Sequence, residues 1–127
     1  MRYVKTTPKS VEQATTDLEA AVARHQFGVL HVHNLKETMK KKGVEFANEC
    51  RILEVCNPHQ AKKVLNEDMT INMALPCRIS VWSEQGKTHI GMLLPTDLLK
   101  LFSDSPALAD VAKDVENATK QMIEEAL

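Results

Sequence analysis

Residues 78–92 constrain the fold of this chain most tightly. Arg78–Ser83 alternates polar with apolar side chains, and Thr88–Met92 follows after Glu84-Gln85-Gly86-Lys87. A link this short, with a glycine in it, is the signature of a β-hairpin. The chain therefore contains an antiparallel ribbon, and such a ribbon needs further strands or helices to bury one of its faces.

Other segments supply them. Arg2–Thr7 carries Tyr, Val and Thr and stops at Pro8, which suits a strand; Phe27–His33 and Cys50–Cys56 read the same way. Ser10 has the chemistry of a helix N-cap with Gln13 completing a capping box, and Val11, Ala14, Leu18, Ala21 and Val22 then form one apolar stripe. Leu35–Lys42 is a short helical pattern stopped by Gly43, its Lys40-Lys41-Lys42 run being a solvated helix end. Asn57-Pro58 gives a cap and an N1 proline for a helix to about Leu65, and Ile71–Leu75 is apolar up to Pro76. Thr96 caps a short helix. Ser105-Pro106 opens the longest one, with Leu108, Val111, Val115, Ala118, Met122 and Ile123 on its inner face. The sum is a single α+β domain over residues 1–127. Its sheet of about five strands is antiparallel or mixed, with helices packed on one face.

Composition narrows the function. A net charge of −1 offers no electrostatic footprint for nucleic acid, and 4% aromatic residues are too few for a base-stacking platform. No apolar run is long enough to cross a bilayer, and Met1–Pro8 lacks the apolar stretch of a signal peptide. Three cysteines, Cys50, Cys56 and Cys77, are an odd number at irregular spacing, as expected of free thiols in the cytoplasm. Glycine-rich phosphate loops, Cys-x-x-Cys, His-Glu-x-x-His and Gly-x-Ser-x-Gly are all missing.

Cys56 is the first candidate for chemistry. It ends a strand one residue before the Asn57 cap, where backbone N–H groups and a helix dipole favour a thiolate. If its strand and the one opened by Cys77 are antiparallel neighbours, the two cysteines meet and can share a metal or a transient disulfide. Cys50 lies at the other end of its strand, and packing explains it. His31 and His33 alternate along a strand and project to one face. With Cys56, Cys77 or His59 they make a candidate site for a divalent transition metal. Against these stand plain alternatives: a cysteine at a strand end acts as a small hydrophobe, and two histidines occupy a solvated face. Helix capping explains His25, and an edge-like hairpin strand explains His89. Glu54 and Arg78 are suited to pair across strands. Trp82 alternates away from Ile79 and Val81, so it belongs to an open sheet face suited to self-association.

Several landmarks occur in a familiar order: Phe27-Gly28-Val29-Leu30, Arg51-Ile52-Leu53, Cys56-Asn57-Pro58 with Ala61, Leu75-Pro76-Cys77 and Arg78-Ile79-Ser80-Val81. From the first strand to about Leu99 the chain resembles the bacterial family catalogued as domain of unknown function 302. The resemblance implies a β-α-β4-α, TATA-binding-protein-like fold, a homodimer and no established activity. Relatives carry cysteine where Cys56 and Cys77 stand, or else glycine or leucine, and His31 and His33 have no counterpart in the pattern.

Three functions follow as expectations. The first is a non-enzymatic, homodimeric binding module for a small molecule or a protein, with neither nucleic acid nor membrane as partner. The second is thiol chemistry, persulfide transfer or redox sensing, at Cys56 with Cys77, beside Asn57 and His59. The third is the Cys/His metal site.

Overall fold

Gln85 and Gly86 adopt φ of 53° and 75°. This left-handed pair lets a two-residue turn match the twist of the strands it joins. The turn connects β4 (Cys77–Glu84) to β5 (Lys87–Leu93), as expected from the sequence. The structure, a computed structural model, describes residues 1–127. Numbered in chain order, the remaining strands are β1 (Arg2–Thr7), β2 (Gly28–Asn34) and β3 (Cys50–Cys56). The helices are α1 (Val11–Arg24), α2 (Leu35–Lys41), α3 (Pro58–Glu67), α4 (Pro95–Lys100) and α5 (Pro106–Ala126). A 3-10 segment, Met69–Ala74, precedes β4.

The five strands run in the order β1-β5-β4-β3-β2, and every neighbouring pair is antiparallel. Of the two expected sheet types, the fully antiparallel one forms. The first strand closes against the last, which makes β5 an interior strand. His89 is therefore not on an edge: it lies opposite Thr6 on one side and Trp82 on the other.

Alternation along the strands separates two faces. Leu53, Val55, Ile79, Val81 and Ile90 are fully buried beneath the helices. They meet Leu18 and Val22 of α1 and Met122 and Ile123 of α5, also fully buried. Each such side chain contributes about 1.5–3 kcal/mol through burial. The stripe expected on α1 is all buried. That on α5 is wider than expected, for Ala112, Thr119 and Ala126 join it, while Val111 and Ala118 are only half-buried. Ser10 and Ser105 cap α1 and α5 through their hydroxyls. Thr96 does not cap α4; it lies inside that helix, and its N–H and hydroxyl both donate to Glu116 of α5, tying α4 to α5.

Candidate functional site

Where β3 ends and β4 begins, the helical layer stands away from the sheet. α3 leaves β3 directly, the 3-10 segment returns the chain to β4, and α4 and the first half of α5 form the opposite wall. Between them is a pocket of about 370 Å³, lined by 26 residues of which 20 are apolar. That volume lies within the range of small-molecule sites. Val64, Ile71, Leu98, Leu99 and Val111 form much of its wall. The exposed side chains of Met73, Leu93 and Phe102 continue the apolar surface to its mouth.

Four lining residues carry polar side chains beyond the cysteines: Asn57, Gln60, Arg78 and Thr119. Two of them are engaged. The Asn57 side-chain oxygen caps α3, accepting the N–H of His59 at 3.0 Å and of Gln60 at 3.2 Å. The Thr119 hydroxyl donates to the Val115 carbonyl at 2.8 Å. Arg78 is exposed and alternates with buried Ile79, which directs it to the open face of the sheet. Gln60 differs: its Oε1 is buried and meets no hydrogen-bond partner. An acceptor left in that state costs about 1–3 kcal/mol.

Cys56 and Cys77 also line this pocket. The register places Cys77 opposite Val55, so the end of β3 does lie beside the start of β4. Both cysteines are free thiols. The activated thiolate expected at Cys56 is not what the structure provides. Burial pushes the Cys56 thiol up, and burial followed by the nearness of Cys56 pushes Cys77 up as well. The reason is local: Asn57 already occupies the donors of the α3 first turn, so none is left to stabilise an anion. Cys50, at the far end of β3, is half-buried and shifted upward by the same cause.

The histidines are elsewhere. His31 and His33 do share a face, their rings meeting edge to face at 4.3 Å, but they lie opposite Glu54 and Ile52. Cys56 lies opposite Gly28, further along the ladder. His33 Nε2 lies 3.4 Å from the Glu54 carboxylate, which takes the place expected for Arg78 although Arg78 is the cross-strand neighbour of Glu54. His59 is exposed on α3. No three His, Cys, Asp or Glu side chains converge as a metal-ligand set, so the combination of His31, His33 or His59 with Cys56 and Cys77 is not assembled. Register separates them along and across the sheet.

Sequence reasoning located Cys56, Cys77 and Asn57 but missed Gln60 and the α4–α5 wall. One signal was present. Asn57-x-x-Gln60 has the spacing of a capping box, in which the glutamine side chain would reach back to the cap. Here only the Asn57 half forms, and the glutamine side chain is left without a partner.

No helix is long and apolar enough to cross a membrane. Residues 3–126 match the family described as domain of unknown function DUF302. A crystal structure of an uncharacterized conserved DUF302 protein from Bacillus stearothermophilus matches with a TM-score of 0.93 at 33% identity, covering 99% of this chain and 98% of that chain. None of the curated proteins matches.

Proposed function

Because this chain belongs to the DUF302 family, a domain of unknown function, we propose its role from the pocket: it is a binding domain for a small, uncharged, largely apolar molecule bearing one hydrogen-bond donor. The observation that carries this is the orphaned Oε1 of Gln60 within an otherwise apolar wall. A hydroxyl or N–H on the ligand satisfies that oxygen once the Gln60 amide turns into the lumen, while the body of the molecule takes up the apolar lining. The titratable groups inside are two thiols held protonated by burial, which supports binding over acid–base or nucleophilic work. Arg78, the one charged residue of the lining, alternates with buried Ile79, which directs its side chain toward the open face of the sheet rather than into the lumen.

Titrating labelled protein with 2-naphthol and following backbone amide shifts tests this. Binding in the pocket moves resonances of α3, residues 69–74 and α4. Shifts confined to other regions, or none that saturate, argue against it.

A second observation favours self-association. On the sheet face away from the helices, Trp82 stacks on His89 with ring centroids 5.4 Å apart, and exposed Val4 lies nearby over Gly91. Glu54 and Arg78 lie on the same face with opposite charges. An apolar centre with charges of both signs suits an isologous contact, and we propose that a second copy of this chain covers it. Sedimentation equilibrium of the wild type and of Trp82→Ala decides the matter: a dimer weakened by the substitution supports the contact, and a monomeric wild type removes it.

A further inference from the structure

At the opposite end of the sheet lies a second cleft, polar where the first is apolar. It is lined by Ser10, Val11 and Glu12 at the start of α1, Glu49 and Arg51 at the start of β3, and Ser83, Gly86, Lys87 and Thr88 around the β4–β5 turn. Arg51, Ser83 and Thr88 all project to the helix side of their strands, beneath the first turn of α1.

We propose that this cleft binds a phosphate group, independently of the apolar pocket. Three separate observations converge on it. The Arg51 Nε is buried and has no hydrogen-bond partner, so a half-buried guanidinium lines the cleft with donor capacity unused. Thr88 is 6% exposed and opens on the cleft, and its hydroxyl makes no hydrogen bond within the protein. The first turn of α1 adds backbone donors. Ser10 occupies the N–H of Gln13 with its hydroxyl and that of Ala14 with its carbonyl, leaving those of Val11 and Glu12 free.

Further donors stand around these. The Ser83 hydroxyl accepts from the Glu49 N–H at 2.9 Å, which leaves its own proton to give, and Lys87 adds a second cation. Two carboxylates also line the cleft. Glu49 is neutralised by Lys36 at 3.2 Å, and Glu12 is exposed at the helix start. Donors arriving from a helix end, a guanidinium and two hydroxyls surround an oxyanion from several directions. A tetrahedral phosphate uses them all, whereas a planar carboxylate uses two or three.

Inorganic phosphate is the probe. Amide and arginine Nε–H resonances are followed during titration at fixed ionic strength, with sodium chloride and sodium acetate as parallel arms. The expected result is a saturable shift of Val11, Glu12 and the Arg51 Nε–H with phosphate alone. Arg51→Gln weakens the apparent affinity roughly tenfold or more, as expected for a hydrogen bond to a charged group. Thr88→Val, nearly isosteric, weakens it less while keeping the fold, and Glu12→Gln tightens it by removing repulsion. A phosphate response no different from chloride, one retained in full by Arg51→Gln, or acetate binding as tightly as phosphate overturns the proposal.

Discussion

The side-chain oxygen of Asn57 accepts the backbone N–H of Gln60 at 3.2 Å. That bond fixes the first turn of α3 at the end of β3 and with it the position from which the Gln60 side chain enters the apolar pocket. The cap thus sets the geometry of the site, and Gln60 supplies its one unmet polar demand.

Replacing Gln60 by leucine removes a buried acceptor that nothing satisfies and adds a side chain of similar reach. The free protein should gain about 1 kcal/mol in stability, read from the midpoint of urea unfolding with an unchanged slope. A loss of stability would mean that water or protein already satisfies this oxygen.

Gly91 has no room for a methyl group. A Cβ there would stand 2.9 Å from Val4 Cγ2, 3.1 Å from Trp82 Cη2 and 3.1 Å from the Tyr3 carbonyl oxygen. The last of these is backbone and cannot swing aside, so Gly91→Ala should cost about 1–3 kcal/mol and perturb Trp82 fluorescence. An unchanged melting temperature would contradict the tight β1–β5 approach.

The cysteines make stability depend on pH in one direction. Burial raises the thiols of Cys50, Cys56 and Cys77 above the ordinary value in the folded chain. Below about pH 8 both folded and unfolded chains keep these protons and the contribution is constant; above it the unfolded chain ionises first, so stability falls as pH rises. Cys77→Ala should flatten that decline between about pH 8 and 10. Tyr3 extends the fall at higher pH: its hydrogen bond to Glu124, helped by burial, holds its hydroxyl up to about 12. Alkylation of Cys56 proceeding readily at neutral pH would contradict the protonated state.

Much of the fold was legible because it rests on local signals. The strand bounds of Arg2–Thr7 and Cys50–Cys56, the turn at Gln85-Gly86 and the caps Ser10, Asn57 and Ser105 all appear where residue chemistry puts them. Strand order was less accessible. That β1 pairs with β5, placing His89 between two strands, depends on a contact spanning most of the chain, and no local pattern encodes it. The site divides in the same way. That the end of β3 lies beside the start of β4 followed once adjacency was assumed, but the raised thiols of Cys56 and Cys77 depend on burial, which spacing does not report. Thr96 looked like a cap because threonine is a good one; its bonds to Glu116 are tertiary. Arg51 stood only within the Arg51-Ile52-Leu53 landmark and Thr88 only as a strand residue, and nothing local pointed to their cleft, which is assembled from three distant segments.

In the proposed function Gln60 selects a hydrogen-bond donor in an apolar pocket. The most direct measurement compares the affinities of 2-naphthol and naphthalene, alike in shape and differing in one hydroxyl, for the wild type and for Gln60→Leu. The wild type should prefer 2-naphthol by roughly tenfold, and in Gln60→Leu the preference should fall nearly to one while naphthalene still binds. A preference that survives the substitution, or a wild type that binds neither compound, would contradict this role of Gln60.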